Sequence, residues 1–491
     1  MLLTDKLDYL AATAPQNIAL VDSDKEITFK ELRDKSLFIA QVIHDKYKKT
    51  NSPIVVEVNR KVETVICFFA VLYSGNFYVP INNAEPKNRI LDIINKVEAK
   101  IGIFHEKNIF TDIESIDYNF IDVSELNNIF NPHHFIIDVD PCYVLFTSGS
   151  TGKPKGVVIS HKMVLDLIEW IVPTIAINDN LRIANQTPFF FDASVKEIAL
   201  MLGSGATIYI MDTKLFMFPI KAVEFLNNNK INCILWSVSA INIMANSKVF
   251  DEVYPRYLKI VTFAGEALSA SKLNYWQKFV NARYFNLYGP TEATVDACYY
   301  EVNRKFDNSE IIPIGKACDN MDLLILDGDK LSNEGELVIR GTAVSYGYYN
   351  DLAKTEKAFV QNPLNKSYPE KVYRTGDLVR LNKYGEIEFL ARKDNQIKMH
   401  GYRIELGEIE LAIASLDIDD VVCIYDDLKE IIVAIYSGKE HSKAEFRKHL
   451  KNLLPTYMIP SKFIHLYNLP KTQNTKLDRV KLKEQYINGE I

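Results

Sequence analysis

The sequence predicts an α/β fold: a large N-terminal domain of stacked αβ sheets with a β-rich subdomain, then a small α+β C-terminal domain. Three observations predict it. Short β-branched runs alternate with helical patterns, the texture changes to turn-separated strands after about Pro290, and it changes again across ARKDNQIKMHGYRIE (391–405). In chain order, PIVVEV (53–58) is a short apolar run suited to a strand, VETVICFFAVLYSG (62–75) is helix-like, and FYVPI (77–81) returns to strand. YVLF (143–146) reads as a buried strand and HKMVLDLIEW (161–170) as an amphipathic helix. With IGIF, ATIYI, NCILW and IVTFAG, this alternation is what a mostly parallel sheet requires, because each crossover needs a helix-sized connection. LLILD (323–327), GELVIRG (335–341) and EIEFLA (386–391) are separated by turn residues and predict an antiparallel subdomain. The final unit has a helix from Glu405 to about Leu416, strands VVCIYD and IIVAIYS, a charged helix near Lys443 to Leu453 and a strand at KFIHL. The domains are therefore drawn as 1–393 and 394–491, and no fixed-period repeat interrupts them.

With 491 residues, 47% hydrophobic, the chain is long enough for a large core and more than one domain. A formal net charge of -6 argues against nucleic-acid or membrane binding by bulk electrostatics. The start carries Asp5 and Asp8 within its apolar part and does not read as a signal peptide, and no apolar stretch approaches the ~20 residues of a membrane span. The six cysteines are scattered without CxxC spacing, which predicts buried thiols in a reducing cytoplasm. The histidines show no metal-ligand spacing, so a protein-bound transition metal is not expected.

The most informative stretch is LFTSGSTGKPKG (145–156). Between a strand and a helix it holds Gly149, Gly152 and Gly156, hydroxyls at Thr147, Ser148, Ser150 and Thr151, and Lys153 and Lys155. Glycines let backbone amides approach an anion, hydroxyls donate hydrogen bonds and lysines neutralise charge, a chemistry suited to a triphosphate. A Walker loop would need glycine at 147 and Ser or Thr at 154, where this chain has Thr147 and Pro154.

The stretch resembles the phosphate-binding signature of the adenylate-forming superfamily, which includes acyl-CoA synthetases, luciferases and the adenylation domains and stand-alone ligases that load amino acids onto carrier proteins. Further segments resemble that family in the expected order: FYVPINNAEPKNRI (77–90), FFFDASVKEI (189–198), FAGEAL (263–268), NLYGPTEATV (286–295), GELVIRGTAVSYGYY (335–349), YRTGDLVR (373–380), ARKDNQIKMHGYRIELGEIE (391–410), LPTYMIPSKF (454–463) and LPKTQNTKLDR (469–479).

The resemblance implies a site for ATP and Mg²⁺. Thr147, Ser148, Ser150, Thr151 and Lys155 would cradle the β- and γ-phosphates, and Glu292 would hold Mg²⁺, as a hard carboxylate oxygen should. Thr291 and Arg392 also fall at nucleotide-binding positions, Tyr288 at the adenine, and Asp377 at the ribose, whose two hydroxyls a carboxylate can accept. Lys476 is the implied catalytic cation, stabilising the charge that builds as a carboxylate attacks the α-phosphorus. The family usually has glycine where this chain has Thr475. Asp394 matches the hinge about which the small, mobile domain swings in relatives, and Gly401 the loop that then lines the thiol tunnel.

Asp192 occupies the position that pairs with the α-ammonium in amino-acid-activating relatives, since a buried acid needs a cationic partner. The match implies further pocket positions at Ala193, Lys196, Ala240, Thr262, Ala264, Gly265, Leu287, Val295 and Asp296. Lys196 pointing inward would meet a second carboxylate and favour a glutamate-like substrate. Lys196 paired with Asp296 would leave a small cavity suited to alanine, and the layout is similar to that of D-alanine–carrier protein ligases; those typically carry cysteine at the position of Ala264, where alanine leaves more space, so a glutamate-like substrate is expected first and D-alanine next. The expected acceptor is the phosphopantetheine arm of a separate acyl carrier protein, because about a dozen residues follow LPKTQNTKLDR; coenzyme A is the other candidate. The competing readings are an acyl- or aryl-CoA synthetase, disfavoured by Asp192, and a catalytically silent nucleotide-binding relative.

Overall fold

The structure is a computed structural model that describes residues 1–105, 110, 113–118, 136–149, 153–175, 180–471 and 477–491. Ser150, Thr151 and Lys476, expected at the site, lie outside the described residues. The chain forms two compact units. One comprises Met1–Ile81, Val97–Leu145 and Gly156–Lys393; the other comprises Asn82–Lys96, Phe146–Lys155 and Asp394–Ile491. Two short segments from the first third of the chain thus belong with residues 394–491, which a single cut after 393 did not anticipate.

The first unit contains two α/β sheets and an antiparallel one. In the nine-stranded sheet, Arg283–Tyr288, Ile260–Ala264, Cys233–Ser237, Arg182–Asn185, Thr207–Ile210 and Ile18–Val21 lie side by side and parallel, with antiparallel strands at both edges. The six-stranded α/β sheet runs Glu114–Asp117, Ile101–Phe104, Pro53–Glu57, Phe77–Ile81, Pro141–Thr147, Lys155–Ser160. Parallel strands covered on both faces read as continuous apolar runs, and Phe77–Ile81 and Ile101–Phe104 are buried at every residue. The main core lies where Val62–Tyr73, His161–Ile175 and Ala193–Ser204 meet. The β-rich subdomain is antiparallel, as expected, built on Met321–Asp327, Glu334–Gly341, Lys371–Leu381 and Ile387–Arg392.

Three local readings are revised. Lys155–Ser160 is a strand, so the loop after Thr147 is shorter than the sequence indicated, and Lys155 opens the strand that ends it. His161–Ile175 is longer than expected, continues through Pro173, and is buried on nearly all sides rather than along one stripe. Leu3–Thr13 and Phe29–Lys46 are helices that the pattern did not single out. Phe29–Lys46 is nucleated by a capping box, in which Thr28 and Glu31 satisfy each other's backbone amides.

In the second unit, the hairpin Gln396–Met399 and Tyr402–Glu405 turns through His400 and Gly401, both at positive φ (54° and 79°), the backbone of a tight two-residue turn. Helices Leu406–Ala414 and Lys443–Leu450 pack with a sheet of Ile418–Asp426, Ile431–Gly438 and Lys462–His465 around Ile409, Ile413, Ile432, Phe446 and Leu450. All six cysteines are buried, and burial pushes their thiols up, which suits structural rather than reactive roles. Among the described residues, no helix is long and apolar enough to cross a membrane.

Candidate active site

Asp192 is the residue immediately before helix Ala193–Ser204, and its side chain makes no helix-cap hydrogen bond. Burial raises its pKa, opposed by a hydrogen bond from the Thr291 side chain, the charge of Lys196 and the Ala193 amide, while Glu292 pushes the same way as burial. One turn along the helix, Lys196 is 2% exposed and its Nζ lies 3.3 Å from Asp296 Oδ2, itself 2% exposed. Asp296 reaches this position through a strained turn. Thr294 and Val295 have φ of 53° and 76°, and a β-branched residue there is a true outlier. The Thr294 hydroxyl, bonded to the Ala343 carbonyl at 2.6 Å, secures the turn. Gly289 makes room for it: a Cβ there would lie 2.4 Å from the Val295 carbonyl oxygen and the Asp296 Cα.

Because both members of the Lys196–Asp296 pair are buried, the pair is expected to behave as a unit. Lys196→Met alone leaves a buried carboxylate without that cation and is expected to cost about 3–5 kcal/mol of stability; adding Asp296→Asn should recover most of it. Urea denaturation of wild type, single and double variants reads both effects, and a double variant no more stable than the single one would show that the pair is not the stabilising unit.

The residues expected on the nucleotide side also converge. Strand Arg283–Tyr288 ends on Tyr288, whose hydroxyl donates to Asp377 Oδ2 across 89 residues of sequence. Arg392 Nη1 holds the other oxygen, Oδ1, at 2.6 Å, and the Thr375 hydroxyl accepts from the Asp377 amide at 2.9 Å. Asp377 is thus fixed through both oxygens, each with lone pairs left to accept further donors. Tyr288 is 8% exposed, and burial followed by the charge of Asp377 raises its pKa. Orienting Asp377 is therefore a role for Tyr288 that the sequence did not suggest. Glu292 is fully buried, and its Oε1 accepts from the Tyr348 hydroxyl at 2.8 Å while its carbonyl accepts from the Ser345 amide at 2.9 Å. Tyr348 lies within GELVIRGTAVSYGYY, but nothing in that motif assigned it a role.

Ala264 ends strand Ile260–Ala264, in register with Ser237 and Leu287 on its two neighbours. Gly265 follows at φ 95°, with nothing within 4 Å of where a Cβ would stand, so glycine serves the turn there and leaves open space. The sequence missed the neighbouring network of Glu197, Asn185 and Arg60. Asn185 donates to Glu197, whose carboxyl is pushed up to about 8 by burial. Arg60, lowered to about 10 by burial, donates to the carbonyls of Asn185, Thr187 and Met211. Glu197 follows Lys196 directly, yet nothing in its spacing points to Arg60.

In the second unit, Thr147 ends its strand, Ser148 is 4% exposed and bonded to the Arg403 carbonyl, and Lys155 is half-buried. Asp394 opens the last segment of this unit and its Oδ1 accepts from the Gln396 amide at 3.2 Å; Gly401 forms the hairpin tip. Among the described residues no group of three or more His, Cys, Asp and Glu side chains could hold a metal. A single buried carboxylate such as Glu292 suits Mg²⁺, which takes few protein ligands and keeps water and phosphate oxygens.

The model of the AMP-binding enzyme family matches residues 7–349. Tyrocidine synthase 1 of Brevibacillus parabrevis is 33% identical over 96% of this chain, which spans 44% of that protein. A D-alanine–D-alanyl carrier protein ligase of Bacillus licheniformis is 33% identical over 99% of both chains. In fold, the chain is similar to an NRPS protein containing adenylation and PCP domains (TM-score 0.84, 23% identity, 99% of this chain and 84% of that one). It is also similar to the Vibrio cholerae adenylation domain AlmE in complex with glycyl-adenosine-5'-phosphate (TM-score 0.83, 21% identity, 99% and 98%). With a family model matched over most of its length and a relative aligned almost end to end, this chain belongs to the AMP-binding enzymes of the adenylate-forming superfamily.

Proposed function

We propose that the protein activates an α-amino acid as its aminoacyl-AMP and passes the acyl group to the phosphopantetheine thiol of an acyl carrier protein. The observation that carries this reading is Asp192, a carboxylate with raised pKa whose neighbouring cation, Lys196, already pairs with Asp296. An α-ammonium supplies a cation of its own, which a fatty or aromatic acid cannot do.

In the first step a substrate carboxylate oxygen attacks the α-phosphorus of ATP, a P–O bond forms, and the bond to the β-phosphate oxygen breaks to release pyrophosphate. Asp192 orients the amino acid. Asp377, held by Tyr288 and Arg392, accepts the ribose hydroxyls. Thr147, Ser148, Ser150, Thr151 and Lys155 take the phosphates, with Thr291 alongside, and Lys476 neutralises the two anions as they meet. Glu292 would hold Mg²⁺, which supplies charge neutralisation on the phosphate oxygens. In the second step the thiol sulfur attacks the acyl carbon, a C–S bond forms, AMP leaves with the C–O bond electrons, and the thiol proton passes to solvent. Movement about Asp394, bringing the loop at Gly401 to the acyl group, would separate the two steps.

For the substrate side chain, the Lys196–Asp296 pair favours a small uncharged residue, with D-alanine the case named among the relatives. A glutamate-like substrate, which an unpaired Lys196 would prefer, requires its carboxylate to compete with Asp296. Lys196→Ala separates them, since it should weaken an acidic substrate far more than alanine. The reading as a whole is tested by incubating the protein with ATP, Mg²⁺, a phosphopantetheinylated carrier protein and single amino acids, then measuring the carrier's mass. Mass gain by one aminoacyl group supports it; acylation of coenzyme A with the carrier unchanged overturns the acceptor.

A further inference from the structure

Arg60 lies just after strand Pro53–Glu57 of the six-stranded sheet and reaches across to the nine-stranded one. Its guanidinium gathers three carbonyls at the carboxyl ends of two adjacent parallel strands. Nη2 donates at 2.7 Å to Asn185, the last residue of Arg182–Asn185. Nε at 3.0 Å and Nη2 at 2.5 Å donate to Met211, which follows the neighbouring strand Thr207–Ile210, and Nη1 donates to Thr187 at 2.8 Å. Buried carbonyls at strand ends need donors from elsewhere, and a planar fork serves several at once where an ammonium, a single nitrogen, cannot span them. The Met211 amide completes the join by donating to the Asn185 carbonyl at 3.0 Å.

From this anchor the chain runs to Asp192. Phe189, 2% exposed, has its ring centroid 5.9 Å from the guanidinium carbon, and the Phe191 amide turns back onto the Pro188 carbonyl at 3.0 Å. Beyond Asp192, helix Ala193–Ser204 carries the fully buried Glu197, which accepts from Asn185 Nδ2; the same Nδ2 donates to the Thr187 carbonyl at 3.0 Å. Asp192 therefore stands midway between two fixed points, Thr187 and Glu197, both tied to Asn185. We infer that Arg60 is a positioning residue for Asp192: by fixing the carbonyls of Asn185, Thr187 and Met211 it sets where the Asp192 carboxylate stands and so how well the pocket holds an α-ammonium. The inference rests on the reading of Asp192 as the group that pairs with the amino acid. Because Arg60 grips backbone carbonyls rather than substrate, it acts on amino-acid binding through Asp192 and leaves the Asp377 site, built on other strands, unchanged.

Arg60→Lys keeps the charge and loses the fork. In amino-acid-dependent ATP–pyrophosphate exchange it should raise the amino-acid KM about tenfold, a part of the about 10²-fold expected of Asp192→Asn, with the ATP KM within about twofold of wild type. The deciding readout is the double variant. If Arg60 acts through Asp192, Arg60→Lys adds nothing to the KM of Asp192→Asn, whereas a general loosening of the fold multiplies the two effects. Asn185→Ser, which removes the amide that ties Thr187 to Glu197, should give the same pattern and tests the network if Arg60→Lys does not fold. An unchanged amino-acid KM, an equal rise in the ATP KM or multiplied effects would each overturn the inference. A wild-type amino-acid KM in Asp192→Asn overturns the reading of Asp192 and this inference with it; a raised KM in Asp192→Asn beside an unchanged one in Arg60→Lys overturns the inference alone.

Discussion

Lys476→Ala is expected to slow aminoacyl-adenylate formation by about 10²–10³-fold, the range for loss of one preorganised charge-stabilising group. The attacking carboxylate and the α-phosphate are both anions, and negative charge moves to the bridging oxygen as the bond to pyrophosphate breaks, so a cation there acts on the transition state more than on bound ATP. The loss should therefore appear in the rate of a single turnover with saturating ATP and amino acid, with little change in ATP affinity. Transfer to thiol from separately supplied aminoacyl-AMP should stay within a few-fold of wild type, because that step needs no pyrophosphate leaving group. Adenylate formation at the wild-type rate would remove Lys476 from the mechanism.

Asp192→Asn is expected to raise the amino-acid KM by about 10²-fold, equivalent to about 2.7 kcal/mol and within the range for truncating one member of a desolvated charge pair. The same substitution should make the ligand-free protein more stable. The Asp192 pKa is raised in the fold, first by burial, so the folded state binds this proton more readily than the unfolded chain does. Stability is therefore lost as pH rises from the ordinary aspartate value through the raised one, and the penalty is complete above the raised value. Asn removes it, so the variant's melting temperature should exceed wild type at pH 7 and the difference should vanish in acid below the ordinary aspartate range. Weaker amino-acid binding with unchanged or lower stability at pH 7 would mean that Asp192 is supported by protein partners rather than waiting for an ammonium.

The sequence reveals residue types and their loops far better than it reveals partners. Strand positions such as Phe77–Ile81 and Glu334–Gly341 are legible because hydrophobic run length and turn residues are local signals. Helices Leu3–Thr13 and Phe29–Lys46 carry modest amphipathicity among many charges, and strand Lys155–Ser160 is hidden because its first residues belong to a glycine- and lysine-rich motif. At the site, Asp192, Glu292 and Asp377 are each recognisable from a few neighbouring residues. Pairing is not, because it depends on topology: Tyr288 meets Asp377, Lys196 meets Asp296, and Gly149 meets Glu408 across 259 residues. The consequence for specificity is direct. A lysine in a pocket motif suggests an acidic substrate until its partner is known, and here the partner is an aspartate of the same chain.

The central claim, activation of an amino acid by adenylation, is tested most directly by amino-acid-dependent ATP–pyrophosphate exchange, screened over L- and D-amino acids and simple carboxylic acids. The account predicts exchange that requires an α-amino acid, strongest with a small uncharged one such as D-alanine, and lost in Asp192→Asn at substrate levels that saturate the wild type. Exchange supported by plain carboxylic acids and by no amino acid would contradict it.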